Sequence, residues 1–236
     1  MACGRPRDGA GSRRPGTAAS RGASGLRGPC VTGPRSGPRV LFWRRIDVPG
    51  LERLVLTEGD DGILAESTVL CTEDGGFRID VRWELDASWR ALAVAVRREN
   101  SAGTREVRLD RRGVGWLVDG APRPDLDGAA EPDLSITPFC NTFPIRRTPH
   151  EPAEGLPLDT AYIDGPTLSV TRSRQRYDRI GPGRVRYVDL GLALGFEADL
   201  EVDDDGLVLR YGDLWERIPA GALPAGAPAP SRSLVR

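Results

Sequence analysis

The chain has 236 residues, 39% of them hydrophobic, and a net charge of −1. All 33 basic residues are arginine, and they are unevenly placed: residues 1–39 carry a net +7 and residues 40–219 a net −10. An acidic body argues against a nucleic-acid-binding domain, and no run reaches the ~18 apolar residues of a membrane helix.

Residues 1–38 are rich in Arg, Gly and Pro and hold almost no large aliphatic residue. Such a segment cannot bury enough surface to offset its ordering entropy, so a disordered arm is expected. Arg13-Arg14 invites a twin-arginine export reading. Residues 18–31 offer only Leu26 and Val31 as large aliphatics, where a signal needs an apolar core of about 7–15 residues. The four cysteines, Cys3, Cys30, Cys71 and Cys140, lack close pair spacing. Reduced thiols and a cytoplasmic location are therefore expected. Residues 220–236, rich in Ala and Pro, read as a disordered tail. One domain, residues 39–219, remains, long enough to bury roughly 70% of its unfolded surface.

Within that domain, residues 40–47 and 51–57 predict strands separated by Pro49-Gly50. Gly59-Asp60-Asp61-Gly62 and Glu73-Asp74-Gly75-Gly76 are turns around a strand at 63–71. Residues 77–86 give the clearest pattern. Phe77, Ile79, Val81, Trp83 and Leu85 alternate with Arg78, Asp80, Arg82, Glu84 and Asp86. That period of two gives one buried and one wet face, as in an antiparallel sheet. Further strands are predicted at 90–98, 105–110 and 116–119, then at 160–164, 168–180, 184–190, 193–202, 207–211 and 214–218. The class is mostly β. Ile46-Asp47-Val48-Pro49-Gly50-Leu51 parallels Ile163-Asp164-Gly165-Pro166-Thr167-Leu168, and Gly76-Phe77 parallels Gly195-Phe196. Nearly equal offsets in the same order suggest two related β-meanders.

Between the meanders lies the only helical signal. Thr137 is a good N-cap and Pro138 suits a first helical position. Phe139 and Phe143, four apart, would share one face. Pro144 cannot donate to Cys140, so the helix must kink or restart there. A short, broken helix buried on its phenylalanine side is predicted.

The run Val118-Asp119-Gly120-x-Pro122-Arg123-Pro124-Asp125-Leu126-Asp127-Gly128, followed by Asp133-Leu134-x-x-Thr137-Pro138-Phe139-x-Asn141-Thr142-x-Pro144-Ile145-Arg146-Arg147, resembles the hallmark of the bacterial putative glycolipid-binding family. Trp43-Arg44-Arg45-Ile46-Asp47 and Arg174-Gln175-Arg176-Tyr177 also match it. The resemblance covers about residues 40–218. It implies a spiral β-roll, a long antiparallel sheet wrapped around a single short helix, and a role in binding a glycolipid or other amphiphile. No catalytic residue comes with it. The absence of an export signal departs from envelope lipid carriers of similar fold.

The residues themselves offer little catalytic chemistry. His150 is the sole histidine and sits in a Pro-rich loop. Cys140 reads as a small buried residue. Asp203-Asp204-Asp205-Gly206 suits a hairpin turn, because the twelfth position of a calcium loop would be Gly212. No catalytic residue, metal or cofactor is expected. Asp125, Asp127 and Asp133 are the carboxylates for the rival reading, hydrolysis of a sugar-containing substrate; a plain interaction scaffold is the third. Arg172, Arg174 and Arg176 share one strand parity with Leu168 and Val170. A ladder of guanidiniums at the end of an apolar stretch suits an anionic or sugar headgroup. With Tyr177, Asn141 and Arg146 they form the expected ligand-binding set.

Overall fold

A computed structural model describes residues 37–148 and 155–219. The expected arm lies outside them except for its last two residues, and His150 and the tail from residue 220 also lie outside. The first meander comprises β1 (Arg39–Arg45), β2 (Gly50–Gly59), β3 (Gly62–Cys71), β4 (Phe77–Leu85), β5 (Ala91–Asn100), β6 (Gly103–Arg112), β7 (Gly115–Val118) and β8 (Ala121–Arg123). A short strand, β9 (Glu131–Leu134), and the helix α1 (Thr142–Arg147) follow. The second meander comprises β10 (Leu156–Ile163), β11 (Val170–Gly181), β12 (Arg184–Asp189), β13 (Glu197–Val202), β14 (Val208–Tyr211) and β15 (Trp215–Ile218).

All fifteen strands belong to one sheet. The meanders join where β1 pairs antiparallel with β15, Phe42 opposite Ile218 and Arg45 opposite Trp215. The paralleled segments fall at matching places, between β1 and β2 and between β10 and β11, then at the starts of β4 and β13. Only β9 and β10 run parallel. The sheet rolls until its far parts meet, and side chains make the seam. Glu131 on β9 accepts the N–H of Ala91 on β5 at 2.9 Å, and Arg123 on β8 donates to the Val170 carbonyl at 3.0 Å.

The alternation read from β4 holds: Phe77, Ile79, Val81, Trp83 and Leu85 are all buried. They pack around the helical segment, which opens with a 3-10 turn at Phe139–Asn141 and continues into α1. The turn starts one residue later than expected, with Pro138 rather than Thr137 at its N-cap; Thr137 Oγ1 accepts the Phe139 N–H at 3.1 Å and donates to buried Glu52 at 2.7 Å. Pro144 falls in the first turn of α1, where its missing N–H costs nothing. Phe139 and Phe143 are 5.3 Å apart edge to face, and Trp83 lies 6.1 and 5.4 Å from them. The fold is a β-roll filled by one short helix. Among the described residues no helix is long and apolar enough to cross a membrane.

Three boundaries differ from expectation and bear on the site. Leu168 is not in β11 but in the preceding turn, at φ +57. Residues 193–196 are loop, and β13 starts at Glu197. The β11–β12 loop has two residues, yet a bulge near Arg179 sets Arg186 opposite Asp178. Arg184 and Arg186 therefore share the outer face with the β11 arginines.

Candidate functional site

β11 separates the expected ligand-binding residues. Arg172, Arg174 and Arg176 point outward, while Ser173, Gln175 and Tyr177 are buried on the inner side. Arg172 pairs with Asp159 at 2.6 Å and Arg176 with Asp178 at 2.8 Å. Arg146 stacks over Trp89 at 4.4 Å and donates to the Asp205 carbonyl. Asn141 and Tyr177 do meet: the tyrosine hydroxyl donates to Asn141 Oδ1 at 2.7 Å in the interior. The acidic trio is likewise dispersed. Asp125 is exposed and pairs with Arg123 at 2.7 Å. Asp127 lies so close to Gly115 that a Cβ there would meet its carboxylate. Asp133 alone faces the interior.

Asp133 lines a cavity of about 170 Å3 inside the second meander. Asp133 and Leu134 come from β9, Ser135, Thr137 and Asn141 from the run into the helix, and Tyr162 from β10. Tyr187 and Asp189 come from β12, Phe196 from the loop before β13, Tyr211 from β14, and Leu214 and Trp215 from the start of β15. Tyr187 stands at the centre of an aromatic group, with Tyr177 at 5.5 Å, Phe196 at 6.0 Å and Tyr211 at 6.0 Å. Its hydroxyl donates to Asp189 Oδ2 at 3.2 Å. Cys140 Sγ donates to Asp133 Oδ1 at 3.1 Å, and burial raises the thiol well above its usual range. Among the described residues no basic residue lines the cavity. A larger groove of about 570 Å3 on the outer sheet is also charged, and several of its groups pair with one another, Arg82 with Glu66 at 2.8 Å and Arg97 with Glu106 at 3.3 Å. The inner cavity brings polar groups together among aromatic rings, as binding sites do.

Burial raises the Asp133 carboxyl to about 6, despite the Cys140 hydrogen bond. It raises buried Glu52 to about 7, against the stabilising bonds from Thr137. Burial, and then the charge of Asp133, keeps the hydroxyls of Tyr187 and Tyr211 protonated. The native state thus holds protons that the unfolded chain releases near pH 4. Stability falls as pH rises from about 4 through 6 and 7, by up to about 3 kcal/mol per group. Asp133→Asn, which keeps the shape and removes the charge, is expected to flatten Asp133's share of that slope. Urea midpoints of the variant and the parent between pH 4.5 and 7.5 check this. Equal slopes would mean that Asp133 is solvated in the native state.

Tyr162, Tyr187, Asp189 and Tyr211 were not among the expected site residues, although polar residues at inward strand positions could have marked Tyr187 and Asp189. The family model described as "Putative glycolipid-binding" matches residues 40–217. A crystal structure of a DUF1089 family protein from Pseudomonas aeruginosa is similar, with 32% identity and a TM-score of 0.63 over 71% of this chain and 92% of that one. No curated protein matches the chain. With the match running from β1 to β15, the chain belongs to the putative glycolipid-binding family.

Proposed function

We propose that the chain binds an amphiphile by a neutral, hydroxyl-bearing headgroup, a sugar, held in the cavity of Asp133, Asn141, Tyr187 and Asp189. The observation that carries this reading is the donor and acceptor set. Two carboxylates, an amide and tyrosine hydroxyls converge with no cation among them. Carboxylates accept from vicinal hydroxyls, and the tyrosine rings offer apolar faces to ring C–H groups. The same charges disfavour phosphate or carboxylate. Tyr177 positions Asn141 from behind. The cationic face of Arg172, Arg174 and Arg176 lies across the sheet, so one headgroup cannot touch both sets.

Octyl β-glucoside below its micelle concentration is a suitable probe, followed by isothermal titration calorimetry. Asp189→Asn and Tyr187→Phe are expected to weaken it about tenfold or more, the loss of one hydrogen bond to a charged group. Inorganic phosphate is expected not to compete. Phosphate competition, or equal affinity in both variants, would move the headgroup elsewhere.

Hydrolysis is the second reading. It is favoured by Asp133 and Asp189 lining one cavity, since paired carboxylates flanking a bond are what glycoside cleavage uses. Incubation with a glycosyl diacylglycerol and assay for released sugar decides between them. Release by the parent and none by Asp133→Asn would establish catalysis.

A further inference from the structure

The cavity is smaller than the ~300–1,000 Å3 of sites that engulf a drug-sized ligand. Space for one ring-sized headgroup leaves a long chain outside, and the roll interior is closed by Trp83, Phe139 and Phe143. Two lining residues are exposed, Ser135 and Phe196, and Phe196, 38% exposed, opens the side that carries an apolar loop. Phe196 ends the segment Leu190-Gly191-Leu192-Ala193-Leu194-Gly195-Phe196, which has no polar or charged side chain. Leu192 is 54% exposed and Leu194 78%.

This loop is held, not loose. Asp189 Oδ1 accepts the N–H groups of Gly191 at 2.7 Å and Ala193 at 3.1 Å. The Leu190 N–H reaches the Arg174 carbonyl at 2.8 Å, and Phe196 N–H the Ala193 carbonyl at 2.9 Å. Gly191 lies so tightly on β11 that a Cβ would meet Ser173 Oγ at 2.6 Å. A fixed loop that presents leucines to water gains nothing for folding from their exposure. Beside it, Arg174 is 61% exposed and reaches only a 4.0 Å contact with Asp159. Fixed aliphatic side chains beside a single exposed cation suit a segment that enters a lipid surface mainly by its apolar area, with the cation among the headgroups.

We infer that loop 190–196 is a bilayer contact that sets the cavity mouth at headgroup level. A sugar headgroup then enters the cavity while its acyl chains remain among the lipids. The inference rests on the headgroup reading for its direction, but the lipid contact can be tested apart from it. The full chain is sedimented with vesicles of equal parts phosphatidylcholine and phosphatidylglycerol. Leu192→Asp with Leu194→Asp is expected to lower partitioning by about tenfold or more and to leave octyl β-glucoside binding unchanged. Leu194→Ser alone, at the more exposed position, gives a smaller loss in the same direction and guards against misfolding of the double variant. Unchanged partitioning of the variants, or none by the parent, overturns the inference. So does a parent dimer that the substitutions dissociate without changing lipid partitioning, since the loop would then be a self-association patch. If octyl β-glucoside binds neither protein while the leucine-dependent partitioning persists, the headgroup reading fails and the lipid contact stands.

Discussion

Phe139→Ala is expected to lower the unfolding free energy by about 3–5 kcal/mol, read from urea denaturation. The ring is fully buried and touches three other aromatic residues, with Trp83 at 6.1 Å, Trp89 at 6.3 Å and Phe143 at 5.3 Å. Aromatic pairs of this geometry add stability beyond the area that they bury. The segment is too short to hold a helix by its own propensity, so packing must supply what propensity does not. The strands opposite have little freedom to close a cavity at the centre of a roll, because each is fixed by two hydrogen-bonded neighbours. A loss below about 1 kcal/mol would place the helix at the surface of the sheet and remove its role as filler.

The helix and most of the sheet could be read from the residues because their signals are local. Thr137-Pro138 marks the entry, Phe139 and Phe143 the buried face, and strict alternation marks β4. β8 and β9 were missed for a physical reason. Each has three or four residues and contains a proline, Pro122 or Pro132. Parallel pairing of β9 with β10 leaves no hairpin signature either. The residues of the proposed cavity are harder to read for a different reason. On β11 the arginines mark the wet side of the strand. The other side holds Ser173, Gln175 and Tyr177 at buried positions, which is unusual for polar residues. Tyr187 and Asp189 repeat that inward polarity on β12. Their convergence with Asp133 and Tyr211 depends on the rolling of the sheet, which no local pattern encodes.

The seam that makes this convergence is itself open to test. Glu131 is buried on β9, with Arg147 at 2.8 Å, Arg111 at 3.4 Å and the Ala91 N–H at 2.9 Å. Arg111 is also buried. It donates to the carbonyls of Ala91 and Ala130, each at 2.6 Å, and stacks on Trp116 at 4.3 Å. This knot ties β5, β6, β7 and β9 to the end of the helix. Glu131→Ala leaves a buried guanidinium without its counter-charge and an N–H without its acceptor. A loss of about 3–5 kcal/mol is expected. Glu131→Gln keeps the volume and an acceptor for Ala91, so it should cost less. Pairing Glu131→Leu with Arg111→Met removes both charges, and it should recover much of the loss because neither ion then has to be desolvated. If the double variant is as unstable as Glu131→Ala, the knot acts through its hydrogen bonds to the Ala91 and Ala130 carbonyls rather than through charge. Asp133 lies two residues along β9, so the same substitution bears on the cavity. Where the seam opens, octyl β-glucoside affinity should fall with stability; in the repaired double variant it should return. Affinity that returns without the charges would show that Glu131 and Arg111 serve the site only by holding β9 in place.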